Sequence, residues 1–199
     1  MGVNGHSAPE VCGRRLPPFL CTLHILCILH NVTNARGEIP ATEREPVDRD
    51  LVDVEYELTL LSRYHALAQR SDLHLDRSAY LLLGRLELQQ PMSLKELSCA
   101  FRLDISTINR QIGALRRQGL VERVEDPAGG LARKVRPTAS GLAQLRADRV
   151  HSTAGVGKVL RDWTPESRRA LGELLRQFNQ SVEDIEGRAW PRPTPDDHV

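Results

Sequence analysis

The chain has 199 residues, 40% of them hydrophobic and 27% charged, with a formal net charge of +1. That length fits one ordinary domain with an extended helical part, and it buries a core without disulfides or metals. Near-neutrality excludes a global basic field, so any contact with nucleic acid has to come from a local patch. Of the four cysteines, Cys12, Cys21 and Cys27 lie near the N-terminus and Cys99 lies alone, without metal-ligand or disulfide spacing, so a reducing cytoplasm is the expected compartment.

Residues 1–47 differ from the rest. Arg14-Arg15 precede an apolar run from Leu16 to Leu29 that is broken by Pro17-Pro18 and His24. The order of charge and apolar run is that of a signal segment, and the run is too short to span a membrane. His24, His30 and the weak cleavage context Thr33-Asn34-Ala35 count against secretion. The expectation is a disordered leader or a start set too far upstream, with Val32 opening an ordinary polar leader. A targeting segment and a partner-binding arm are the alternatives.

From about Asp50 apolar residues recur at helical spacing. Leu51, Leu58, Leu61, Tyr64 and Leu67 predict a first helix reaching about Arg70, and Asp76 to Leu88 predicts a second with Asp76 as N-cap, closed off by Pro91. Leu94 to Arg102 then forms a helix, Leu103-Asp104 a tight turn, and a further helix runs to Gly119, a C′ glycine. That helix carries Ile105, Ile108, Ile112 and Leu115 on one face and Ser106, Thr107, Asn109 and Arg110 on the other. Leu120–Glu125 and Ala132–Arg136 are valine-rich strand candidates joined by Pro127-Ala128-Gly129-Gly130, which predicts a hairpin wing.

Thr138 or Ser140 caps the next helix, with Leu142, Leu145, Val150, Val156, Val159 and Leu160, where Gly155 and Gly157 permit a kink. Thr164-Pro165-Glu166 opens a last helix striped with Leu171, Leu174, Leu175, Phe178, Val182 and Ile185. The tail from Trp190 is proline-rich and expected to be extended. The fold class is mainly α with a small β-hairpin wing: a winged helix-turn-helix domain plus further N- and C-terminal helices.

The charge is placed, not spread. Ser93 to Arg136 holds nine cations against five anions, net +4, whereas Thr164 to Gly187 holds three arginines against five carboxylates, net −2. A helix lying in a major groove needs short side chains near its start so that the backbone can approach, which Ser106 and Thr107 supply. Asn109 can pair two-pronged with adenine, and Arg110 with guanine or with phosphate. Ser93 and Lys95, at the start of the preceding helix, could hold a phosphate. The plain alternative is a solvated helix face, which the attached basic wing disfavours. Arg116 and Arg117 suit the negative end of the helix macrodipole better than a DNA contact. Asp126 either fixes the hairpin turn or pairs with a wing cation.

The segments LKELSCAFRLDISTINRQIGALRRQGLVERVEDP and ARKVRPTASG, with LDRSAYLLLGRLE upstream, resemble the MarR family of bacterial winged helix-turn-helix transcription regulators. The resemblance covers about Leu51 to Gly187, and the ending EGRAWPRP with the wing GGLARKVR looks like an actinobacterial branch. It implies homodimers whose first and last helices interlock, inverted-repeat operators in double-stranded DNA, usual action as a repressor, and release by a small aromatic or phenolic effector. It divides the chain into the extension 1–47, a dimerisation helix over 48–74, the DNA-binding domain over 75–139, dimerisation helices over 140–188 and a flexible tail over 189–199. Ser106, Thr107, Asn109 and Arg110 match the DNA-facing positions; Arg133, Lys134 and Arg136 match the wing and its returning strand. At the wing tip the chain departs from the family, with Gly129, Gly130 and Leu131 where an Asp-x-Arg is common, so Arg133 becomes the candidate for the minor groove.

Tyr56, Tyr64 and Tyr80, together with Trp163, are the aromatics that could line an effector cavity or simply pack. Some relatives sense peroxides, but Cys99 stands at an alanine-like core position, which implies a buried thiol. His65, His74 and His151 show no ligand spacing and read as helix-surface histidines, so no metal is expected. No nucleophile elbow, phosphate loop, paired carboxylates or zincin motif is present, so neither catalysis nor a cofactor is expected. The rival reading is a winged-helix protein–protein interaction module without operator binding, which the altered wing tip and near-neutral charge would favour.

Overall fold

A computed structural model describes residues 48–68 and 74–193. Helices α1 (Arg49–Ala68) and α2 (Arg77–Leu88) lead to a two-residue strand β1 (Met92–Ser93), then α3 (Leu94–Phe101) and α4 (Ile105–Arg117). Strands β2 (Val121–Val124) and β3 (Lys134–Pro137) follow, then α5 (Ala139–Val159) and α6 (Pro165–Glu186). The N-terminal extension, the chain between α1 and α2 up to residue 73, and the last six residues lie outside the described residues, as do the side chains of Tyr64 and His65.

Local chemistry places the helix starts. The Asp76 carboxylate accepts from the Ala79 N–H at 2.9 Å, and the Thr138 and Thr164 hydroxyls accept from Gly141 and Ser167 at 3.1 and 3.2 Å. Ser93 and Glu96 form a reciprocal capping box, Glu96 N–H to Ser93 Oγ at 3.2 Å and Ser93 N–H to Glu96 Oε2 at 2.6 Å. After α4, Gly119 adopts the left-handed conformation (φ +73°) that a side chain would resist.

The core sits where α2, α3, α4 and α5 meet the sheet. Leu82, Leu83 and Leu86 of α2, Leu97 of α3, Ile108 and Ile112 of α4 and Leu145 of α5 are almost wholly buried, with Val121 and Val135 beneath them. Gly141 lets the start of α5 lie against the chain entering β2: a Cβ there would fall on the Leu120 carbonyl oxygen.

The sheet is three-stranded and antiparallel, ordered β1-β3-β2, with Met92 opposite Val135 and Glu122 opposite Arg136. The expected hairpin is therefore joined by a strand that two residues give no pattern to announce. Its own strands are shorter at the loop end, since Glu125, Ala132 and Arg133 lie outside the ladder. Three further expectations change. Ile105 is 53% exposed, because the first turn of α4 projects beyond the core. His74 lies in the bend before α2 instead of on a helix. Cys99 is half-buried.

The terminal helices are different. No residue of α6 is buried, and Leu174, Leu175 and Ile185 face solvent. Leu51, Val52, Val54, Tyr56 and Leu61 of α1 and Val150, Val156 and Val159 of α5 are likewise exposed. Among the described residues no helix is long and apolar enough to cross a membrane.

Candidate nucleic-acid interface

Helix α4 owes its position to its inner stripe. Ile108, Ile112 and Leu115 lock it onto α2 and α3, which leaves Ser106, Asn109 and Arg110 together on an exposed outer face with Thr107 half-buried beside them. The tight turn before it is braced: the Ser98 hydroxyl donates to the Leu103 carbonyl at 2.6 Å and the Leu103 N–H to the Ser98 carbonyl at 3.2 Å. Between them Arg102 takes a left-handed backbone (φ 51°), uncommon for a side-chain-bearing residue. Arg116 and Arg117 occupy the last turn of α4, exposed, where cations complement the helix dipole.

The other expected contact residues are not equivalent. Lys95 is exposed on the first turn of α3, but Ser93 already accepts the Glu96 N–H and so caps that helix. On the wing, Lys134 lies 3.2 Å from Asp126, and Arg136 Nε donates to Glu122 at 2.8 Å across the β2–β3 pair. Arg133 forms no ion pair among the described residues and is exposed beside a fully exposed Leu131. Asp126 does both things open to it. Its carboxylate accepts from the Ala128 N–H at 3.0 Å, turning the loop, and it pairs with Lys134. The Ala128 N–H, with help from the Lys134 ammonium, holds this carboxyl below the usual carboxylate value.

Of the three tyrosines, neither Tyr56 nor Tyr80 lines the recess between α2 and α4. Tyr56 is 58% exposed on α1, Tyr80 packs half-buried against the core, and the Tyr64 side chain lies outside the described residues. That recess, of about 360 Å³, opens between the start of α2 and α4, lined by His74, Asp76, Ser78, Arg110, Gln111 and Gln118 among others.

Sequence reasoning passed over Asp148. This carboxylate is 1% exposed and accepts from the Leu75 N–H at 2.9 Å and the His74 N–H at 3.3 Å, with His74 Nδ1 at 3.4 Å. It ties the bend before α2 to α5 and so holds in place His74 and Leu75, which line the recess. Its spacing three residues after Leu145, on the inner stripe of α5, was the available signal. Arg149, next to it, donates to Glu87 at 2.6 Å and clamps α5 to α2.

A sequence profile of the MarR family matches residues 75–128. YxaD of Bacillus subtilis (strain 168), an uncharacterized HTH-type transcriptional regulator, is 35% identical over 134 residues, spanning 66% of this chain and 94% of its own. Among solved structures, a MarR family protein from Bacillus stearothermophilus superposes with a TM-score of 0.62 at 19% identity, over 69% of this chain and 99% of that one. FabT of Streptococcus pneumoniae, solved in complex with DNA, superposes with a TM-score of 0.55 at 17% identity, over 69% and 99% of the two chains.

Proposed function

The chain belongs to the MarR family, as a transcription regulator with a winged helix-turn-helix DNA-binding fold, and on that premise we propose that it acts as a homodimeric repressor reading an inverted-repeat operator in double-stranded DNA. The observation that carries this reading is the outer face of α4: Ser106, Asn109 and Arg110 stand exposed together on a helix pinned from behind by Ile108, Ile112 and Leu115. Short polar side chains let the backbone approach the groove floor, while the amide and guanidinium present the fork geometry that base edges accept. Thr107 and Lys95 flank that face, and of Arg133, Lys134 and Arg136 only Arg133 forms no ion pair among the described residues; Lys134 and Arg136 reach phosphate only by leaving or sharing Asp126 and Glu122.

The second copy follows from the terminal helices. Exposed leucines and valines on α1, the distal part of α5 and α6 form apolar faces that one chain leaves uncovered, and a dimer would bury them. Two recognition helices related by a two-fold axis would then enter successive major grooves about one helical turn apart, which requires a palindrome. An aromatic or phenolic effector belongs to the same reading. The recess between α2 and α4 has the size for a single ring, and Arg110 borders it, so a ligand there would compete with the recognition helix for one side chain. The reading involves no catalysis and no cofactor.

The test is a titration of purified protein onto DNA from its own upstream intergenic region, beside scrambled DNA, at two salt concentrations. Binding confined to the native fragment, with a steep log-linear loss on added salt, is expected. Salt-insensitive association with a protein partner and no preference for any DNA fragment in a genome-wide selection would replace operator reading with a protein-docking role for the same lobe.

A further inference from the structure

The chain does not run loosely away from α6. At Gly187 it takes a left-handed turn (φ +67°), closed by Gly187 N–H to the Asp184 carbonyl at 3.1 Å and Arg188 N–H to the Glu183 carbonyl at 2.9 Å. Arg192 then grips the Glu183 carboxylate with both terminal nitrogens, at 2.6 and 3.0 Å, and donates to the Trp190 carbonyl at 3.2 Å. A bidentate guanidinium–carboxylate pair fixes orientation as well as distance, so this loop is held shut by its own ends.

The head of the loop lands on the helix-turn-helix. Trp190 meets the ring of Phe101 edge to face, with centroids 5.3 Å apart and planes at 87°. The Arg85 guanidinium of α2 lies over the same indole, 4.7 Å from its centroid. Arg85 Nε is buried with no hydrogen-bond partner among the described residues, so the indole face is part of what stabilises that charge. Just before Trp190 in the chain, Arg188 donates to the Cys99 carbonyl and Glu186 accepts from Arg102 at 2.9 Å. Among the described residues, the polar and ring contacts from α6 and its tail to the helix-turn-helix gather in this one stretch, whereas no residue of α6 is buried.

Their targets matter. Cys99, Phe101 and Arg102 form the end of α3 and the tight turn that aims α4. We propose that residues 187–192 form a strap that fixes the end of α6 to the turn of the helix-turn-helix, with Trp190 as a positioning residue for the recognition helix. On the dimeric reading above, on which the DNA consequences rest, α6 belongs to the frame shared by two copies, and the strap sets the spacing of the two recognition helices relative to that frame. Displacing Trp190 would leave each winged lobe folded but less constrained.

The test uses the full chain. Trp163→Phe leaves Trp190 as the sole tryptophan, and its emission is expected to be blue-shifted and poorly quenched by iodide; water-like emission would overturn the strap. In the parent background, Trp190→Ala is expected to weaken binding to the operator fragment roughly tenfold, the scale of one aromatic pair and one cation–π contact together. Melting of the protein should move little, and Trp190→Phe should restore most of the loss. Preference for the native half-site spacing over a spacer one base pair longer should also weaken, which a general loss of stability would not cause. Unchanged affinity and spacing preference in Trp190→Ala would overturn the positioning role. Should the parent bind no DNA, operator reading fails and the strap is judged by amide hydrogen exchange across residues 99–110. Faster exchange in Trp190→Ala supports it, and identical exchange overturns it.

Discussion

The winged lobe and the terminal helices are built from similar residues and end in opposite states. Leu82, Leu83 and Leu86 of α2, Leu97 of α3 and Ile108, Ile112 and Leu115 of α4 are buried to within a few per cent, while in α6 a similar stripe leaves Leu174 64% exposed and nothing buried. A stripe of apolar residues at a helical period states only that a face wants cover. Short connections decide whether the same chain supplies it. The turn at Leu103-Asp104 and the sheet beside α4 fold the lobe onto itself, whereas α6 follows a long α5 that carries it away from the core. The lobe closes alone, and the terminal helices keep uncovered apolar faces, which on the proposed dimeric reading a second copy covers.

Substitutions can break that contrast. Ile112→Ala should destabilise the fold by about 2–5 kcal/mol in denaturant unfolding, because it empties a filled site in the lobe. Leu174→Ala should leave unfolding of dilute protein nearly unchanged and weaken self-association instead, read by sedimentation; equal losses for the two variants would erase the distinction. Gly141→Ala should cost about 1–3 kcal/mol, since its Cβ meets the Leu120 backbone and not a flexible side chain. Arg110→Ala should lose roughly 1–3 kcal/mol of operator affinity without changing the melting temperature. Arg136→Ala, whose partner is Glu122, should lose less. A ranking in which Arg136 outweighs Arg110 would move recognition from the helix to the wing.

The smallest effect is a pH effect. Burial alone would raise the Asp76 carboxyl, but the Ala79 N–H and the Ser78 hydroxyl outweigh it and hold the group below its ordinary value of 3.8. A carboxyl lowered by folding adds stability that is complete above its unfolded pKa and lost as pH falls through the folded one. Asp76→Asn should therefore flatten the acid limb of a stability-versus-pH curve below about pH 4 while keeping most of the cap, worth roughly 1 kcal/mol. An unchanged acid limb would assign the cap no electrostatic part.

What could be read in the chain beforehand follows the range of the forces involved. Asp76, Ser93, Thr138 and Thr164 announce helix starts because a cap acts within three residues, and the isoleucine stripe of α4 announces its buried face within four turns. Ile105 sits on that stripe and is nonetheless exposed, since periodicity says which side a residue is on but not where the neighbouring helix ends. Strand β1 carries two residues and no alternation to detect. The pairings of Lys134 with Asp126 and Arg136 with Glu122 depend on hairpin register, so the wing read as more freely basic than it is. Asp148 and Trp190 were hidden for the same reason at longer range: their partners lie 73 residues away at Leu75 and 89 residues away at Phe101. A proline-rich ending looks like a loose tail until a docking site for its tryptophan is known.

The measurement that bears most directly on the account is the native mass of the protein bound to a short palindromic duplex selected from its own upstream region. Two chains per duplex are predicted, with Arg110→Ala reducing the fraction of duplex bound at the same concentrations. One chain per duplex, or a complex indifferent to Arg110, would contradict a symmetric reader that works through α4.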